Sequence, residues 1–191
     1  WGIMIYQSFS GDALGSDGIF TMSGGSLAYN DANDPLFYVT NTNGHISLMG
    51  VEVTAASGTL VKAEGNDRWG TSGANGGTVN FTADAQTLTG NFAADSLSSL
   101  NITLQNGSVL TGAINAENSA EVANLTLDAS NTWTVTTDSH LTCLTNTAIS
   151  GTSITNSTGN GHTVTYDAST CTRLAGQTYT LNGGGSLTPA S

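Results

Sequence analysis

Few residues in this chain have side chains suited to chemistry. Among 191 residues there are three basic side chains (Lys62, Arg68 and Arg173), fourteen acids, three histidines and two cysteines. The most suggestive grouping is Asp67-Arg68-Trp69. An indole face stacks on a sugar ring and a guanidinium grips a carboxylate in a bidentate fork, so this triplet points to an acidic glycan. A purely local role competes with that: Trp69 folds back as a lid, and Arg68 pairs with Asp67 or Glu64. Asp31 and Asp34, within Asn30-Asp31-Ala32-Asn33-Asp34-Pro35, put several oxygens in one turn, as calcium requires, and Asp12 and Asp17 add further acids nearby. The spacing is not that of an EF-hand, and an Asx-turn is the alternative. Cys143 and Cys171 stand 28 positions apart. They fit either a disulfide or two small buried apolar side chains.

Catalytic patterns are missing. A glycosidase needs two carboxylates facing each other across a groove, and no local pair suggests one. A polysaccharide lyase needs a base and a cation beside the uronate, and three basic residues supply little. His45, His140 and His162 are scattered, each opening a β-rich run without a spaced partner. No Gly-x-Ser-x-Gly, His-Glu-x-x-His or phosphate loop occurs. The expectation is a protein that is not an enzyme and needs no cofactor apart from a possible calcium ion.

The elements that must position these residues are strands. Ser, Thr, Asn and Gly make up about half of the chain, only 9% is charged, and 38% is hydrophobic. Regular alternation over runs such as Ile19–Met22, His45–Leu48, Thr78–Phe81, Leu100–Leu104, Asn124–Leu127 and His162–Tyr166 reads as β-structure. Gly24-Gly25, Asn43-Gly44, Asn106-Gly107 and Asn160-Gly161 read as turns. Asn-Gly is also a hairpin signal, so a meander sandwich competes.

A loose repeat decides between them. Leu27 aligns with Val51 and Leu36 with Leu60, both at an offset of 24. Thr87-Leu88-Thr89-Gly90 aligns with Val109-Leu110-Thr111-Gly112 at 22, and Leu104 with Leu127 at 23. A period this short suits one coil of a β-solenoid with about three short strands. Residues 1–191 are then a single stacked domain. Leu60 and Leu88 look equivalent but lie 28 apart, which places a few extra residues in the Gly-rich segment Glu64–Gly77 and pushes Arg68 and Trp69 out of the stack. The composition also suits internal ladders of stacked Asn or Ser. Thr-x-Thr occurs at Thr87/Thr89, Thr134/Thr136 and Thr163/Thr165. Stacked Thr arrays on a flat face bind ice, but these pairs do not recur at the coil period, and no such array is expected. The Asn-x-Ser/Thr triplets at Asn80, Asn101, Asn106, Asn124 and Asn156 are what this composition produces by chance.

Several blocks carry a resemblance: Met4-Ile5-Tyr6-Gln7-Ser8 with Gly11-Asp12-Ala13, Phe20–Leu27, Leu36–Thr42, Arg68-Trp69-Gly70-Thr71-Ser72-Gly73, Leu110–Asn115 and Gly183-Gly184-Gly185-Ser186-Leu187. Together they resemble the C-terminal part of large secreted, right-handed parallel β-helix proteins of bacteria and methanogenic archaea, adhesin-like or pectate-lyase-like in fold and without a known activity. The resemblance implies an all-β, right-handed parallel β-helix that is secreted or held at the cell surface. Its partners would be glycans or surface proteins, with polysaccharide binding or lyase-like activity as the alternative role. With the strand-like start at Gly2–Tyr6, it also implies a processed piece of a longer protein. An exposed end coil would then allow a homo-oligomer or fibre by strand addition. The net charge of −11 argues against nucleic acid, and no apolar run is long enough to insert in a membrane.

Overall fold

The computed structural model describes residues 1–8, 15–146 and 148–190, so Asp12 lies outside the described residues. Their regular structure is β throughout, apart from one 3-10 turn at Thr172–Leu174. The strands are β1 (Ile3–Tyr6), β2 (Gly18–Ser23), β3 (Ser26–Tyr29), β4 (Phe37–Thr40), β5 (Thr42–Met49), β6 (Glu52–Ala55), β7 (Thr59–Ala63), β8 (Gly77–Asp84), β9 (Thr87–Thr89), β10 (Asn91–Ala94) and β11 (Ser99–Gln105). After them come β12 (Val109–Thr111), β13 (Val122–Leu127), β14 (Thr132–Thr134), β15 (Ser139–Leu141), β16 (Cys143–Asn146), β17 (Ile149–Ser150), β18 (Ser153–Thr158), β19 (Thr163–Tyr166), β20 (Tyr179–Asn182) and β21 (Ser186–Pro189).

Pairing is parallel and non-sequential. One sheet runs β1-β4-β7-β10, a second β2-β5-β8-β11-β13-β16, a third begins β9-β12-β14-β18-β20, and β3 pairs with β6. Strands joined by hairpins would pair antiparallel with their chain neighbours, so the meander sandwich is excluded. The two antiparallel pairs among the described strands are β17 with β18 and β20 with β21. Single residues carry the stack across its gaps. Ile114 bridges Phe92 on β10 and accepts from the His140 amide of β15 at 3.1 Å. The Gln86 side chain joins β6 to β9, accepting from the Val51 amide at 2.8 Å and donating to its carbonyl at 2.6 Å. The arrangement is all-β with parallel sheets and is compatible with a β-solenoid.

Alternation builds the interior. On β8 and β11 every second residue is buried: Val79, Phe81 and Ala83, then Leu100, Ile102 and Leu104. These stack in register with Ile46 and Leu48 below and Leu125 and Leu127 above. Phe81 meets Phe92 edge-on at 5.1 Å, and the Trp133 indole donates to Gly112 O at 2.9 Å.

The structure corrects several repeat assignments. The offsets of 22 at Leu88/Leu110 and 23 at Leu104/Leu127 are the registers found. Leu27, however, pairs with Val53 and not with Val51. A two-residue slip leaves every side chain on the same face, so alternation does not reveal it. Leu60 and Leu88 are not equivalent, because the segment around Val61 pairs with β10 while Leu88 pairs with Leu110 in another sheet. The insertion is also longer than a few residues: Gly44 pairs with Val79, 35 positions on, whereas Val79 pairs with Leu100, only 21 on. Asn43-Gly44 is no turn but the start of β5. The corner is Asn41, at φ 52°, and a Cβ on Gly44 would come within 2.9 Å of Val39 Cγ1. Asn106-Gly107 and Asn160-Gly161 do adopt positive φ, but the first turns the chain from the second sheet to the third, the second joins β18 to β19 within the third sheet, and neither forms a hairpin.

Candidate functional site

The segment between β7 and β8 is built on two asparagines. Asn66 Oδ1 accepts from the Arg68 amide at 2.8 Å and the Trp69 amide at 2.5 Å, while its Nδ2 donates to Thr40 Oγ1 at 2.7 Å. The buried Asn75 donates to Asn66 O at 2.5 Å and Trp69 O at 2.6 Å. Asp95 holds the near end through the Gly65 amide at 2.8 Å. Gly70 sits at φ 77°, where a Cβ would fall 2.2 Å from Asn41 Oδ1, so both backbone and space require glycine.

This frame presents Asp67 and Arg68 exposed, with Trp69 half-buried between them and the body. The Trp69 ring lies against Tyr6 at 4.4 Å, and the Arg68 guanidinium sits 4.9 Å from the Trp69 centroid. Arg68 forms no ion pair among the described residues, and Glu64 pairs instead with Lys62 at 2.8 Å. The guanidinium therefore keeps its N–H donors out of any ion pair among the described residues, while part of the indole surface is already in contact. Tyr6 escaped the sequence reading because nothing local links β1 to a loop sixty residues on.

Two polar clefts flank the segment. One, of about 240 Å³, is lined by Gln7, Ser16, Asp17, Asn41, Thr42 and Asn43 among others. The other, of about 260 Å³, includes Asn66, Asp67, Asn75 and Asp95. In the first, Asp17 accepts from Asn43 Nδ2 at 3.1 Å and faces His45 Nε2 at 3.0 Å, and both bonds hold its carboxyl below the usual range. This His–Asp pair was not anticipated, since residues 17 and 45 meet only through the β2–β5 register.

The remaining candidates lie apart from it. Asp31 Oδ1 accepts from the amides of Asn33 at 2.8 Å and Asp34 at 3.0 Å, an Asx-turn that lowers its pKa. Asp34 faces the Trp1 ammonium at 3.3 Å. No group of three or more His, Cys, Asp or Glu side chains among the described residues is arranged to hold a metal. Cys143 and Cys171 are joined in a disulfide that ties β16 to the turn after β19. Beside it is a cleft of about 350 Å³ on the outer face of the second sheet, lined by Asn101, Thr103, Asn124, Thr126, Thr145 and Thr170 among others.

Three of the five triplets fall together, while Asn106 lies in a turn and Asn156 on β18 of the third sheet. Asn80, Asn101 and Asn124 lie in register and bond in a ladder, Asn124 Nδ2 donating to Asn101 Oδ1 at 3.0 Å and Asn101 Nδ2 to Asn80 Oδ1 at 3.4 Å. The Thr-x-Thr pairs form no unbroken array, as expected: Thr163/Thr165 lie on β19, which pairs with β15 and β21, and Val109 interrupts one rank, yet Thr87/Thr89 and Thr134 do share one outer face. Thr87 and Thr89 of β9 stack on Val109 and Thr111 of β12, which stack on Thr132 and Thr134 of β14. The pairing partner on β14 is Thr132/Thr134 and not Thr134/Thr136, because Leu110 stands in register with Trp133. Comparison with family models, curated proteins and solved structures yields no match for this chain.

Proposed function

We propose that the chain is a right-handed parallel β-helix module of a secreted or cell-surface adhesin-like protein, binding without catalysis. The observation that carries this reading is the β7–β8 segment. Asn66 and Asn75 hold it in one conformation, and it offers Arg68 and Asp67 at the surface between two polar clefts. A rigid scaffold carrying a pre-ordered polar loop suits recognition, because little conformational entropy is lost on binding. Acidic glycans match the free guanidinium. Arrayed glycans probed with wild type and Arg68→Ala test this. Binding of uronate- or sulfate-bearing glycans that drops at least about tenfold in the variant is expected, as for loss of a charge-assisted pair of about 1.5–3 kcal/mol. No binding to any acidic glycan removes the reading.

End-to-end assembly is part of the same proposal. Strands β1, β2 and β3 each stand at the edge of their sheet, and Tyr6 and Ile19 there are well exposed. Light scattering across a concentration series is expected to show growing particles, and a strict monomer at high concentration rejects it. A lyase-like role is the second reading, favoured by the His45–Asp17 pair, whose carboxylate lines a polar cleft. Release of unsaturated uronate, followed by absorbance, tests it directly.

A further inference from the structure

From the third sheet we infer a separate activity: its outer face, carrying Thr87, Thr89, Thr111, Thr132, Thr134 and Thr158, binds ice. Three observations join here. The first is register. Thr89, Thr111, Thr134 and Thr158 follow one another on adjacent parallel strands, and Thr87, Val109 and Thr132 form a second rank beside them. Parallel strands repeat every ~4.7–4.9 Å and alternate residues every ~6.6 Å, so the hydroxyls mark out a two-dimensional net. Both spacings are near those of water oxygens on faces of hexagonal ice.

The second is hydrogen bonding. None of these six hydroxyls has a partner among the described residues, whereas the polar side chains at the corner next to them are all engaged. There Gln86, Ser108 and Asn131 bond to one another's coils and are buried. The Thr hydroxyls therefore have only water to bond. Each is β-branched and stiff at χ1, so its water is placed and not merely attracted. Immobilising a first-shell water costs entropy, and a rigid net of hydroxyls meets that cost with waters that a crystal already holds in place.

The third is the absence of charge. No ionisable side chain occurs in Ala85–Asn91, Ser108–Gly112, Asn131–Thr137 or Ser153–Gly161, the four segments that bear the face. An ion would organise its own hydration shell and break the lattice match. The second sheet is a built-in contrast: Thr82, Thr103 and Thr126 form one rank, but the rank beside it is the Asn ladder, whose amides are bonded to each other.

The test is partition into a slowly grown ice shell, with enriched and excluded fractions measured for the intact chain, Thr111→Glu on the proposed face and Thr103→Glu on the second sheet. Wild type and Thr103→Glu are expected in the ice, with Thr111→Glu reduced at least about tenfold. Melting curves establish that each variant is folded, and Thr89→Glu, at an exposed position of the same rank, replaces Thr111→Glu if the latter is not. Exclusion of the wild type from ice overturns the inference. So does equal loss by Thr103→Glu, and so does retention on microcrystalline cellulose in place of ice. Glycan binding through Arg68 is unaffected by either result, so this inference and the proposed function fail separately.

Discussion

Asn131 shows how much one buried amide does in this chain. Its Nδ2 donates to Leu104 O at 3.0 Å and to Asp128 Oδ1 at 2.8 Å, and its Oδ1 accepts from the Ser108 amide at 2.9 Å. Three backbone or side-chain groups from two neighbouring strand–turn segments are satisfied by a side chain with no solvent exposure. Asp167 does similar work at the surface. Its carboxylate accepts from the hydroxyls of Ser169 and Thr170, each at 2.6 Å, and from the Ser169 amide at 2.8 Å, which holds its pKa down to about 2. A depressed carboxylate stabilises the fold fully above its ordinary value of 3.8, and that contribution disappears as pH falls through about 2. Wild type is therefore expected to melt above Asp167→Asn at pH 6, with the two curves converging between about pH 4 and pH 2. A gap that persists at pH 2 contradicts this.

At the scale of the element, stacking leaves no space at the corner that Gly112 occupies. A Cβ on Gly112 would lie 2.0 Å from the carbonyl oxygen of Gly90, the residue that follows the paired strand β9 as Gly112 follows β12. That neighbour is backbone in a parallel ladder and cannot swing aside. Gly112→Ala is expected to lower unfolding free energy by about 1–3 kcal/mol, the usual effect of overpacking, measured by urea denaturation. Gly107→Ala serves as the comparison, because nothing lies within 4 Å of its Cβ and only its φ of 79° opposes the change. A Gly112→Ala variant as stable as wild type would mean that the coils are looser than this register requires. The strands were largely legible beforehand, since alternation such as Leu100-Asn101-Ile102-Thr103-Leu104 fixes both element and buried face. The Asn43-Gly44 turn was misread because Gly44 is small for packing over Val39, a reason that no local signal carries.

For the whole molecule, the disulfide joins the last strand of the second sheet to the segment that leads into the 3-10 turn. It closes a loop of 28 residues. Constraining such a loop in the unfolded chain contributes about 2–4 kcal/mol, so a Cys143→Ser/Cys171→Ser double variant is expected to unfold at clearly lower urea. An unchanged midpoint would place the stability of this region in the Tyr166 and Tyr179 hydroxyl bonds to Leu174 O, at 3.3 and 3.1 Å.

By itself the sequence determined the strand character, the inward and outward faces, the turn residues at Asn106-Gly107 and Asn160-Gly161, and the existence of an insertion carrying Arg68 and Trp69. These are local properties, set by side-chain alternation over a few residues and by which residues tolerate positive φ. Only the tertiary structure decided which strands are neighbours. It moved Leu27 from Val51 to Val53, separated Leu60 from Leu88, set Tyr6 against Trp69 and His45 against Asp17, and aligned three Asn-x-Thr triplets and four Thr hydroxyls into ranks. The physical reason is that a slip of two residues keeps every side chain on its own face. Register is therefore set by the lengths of the connections and by packing between paired strands, which a single chain's alternation does not encode.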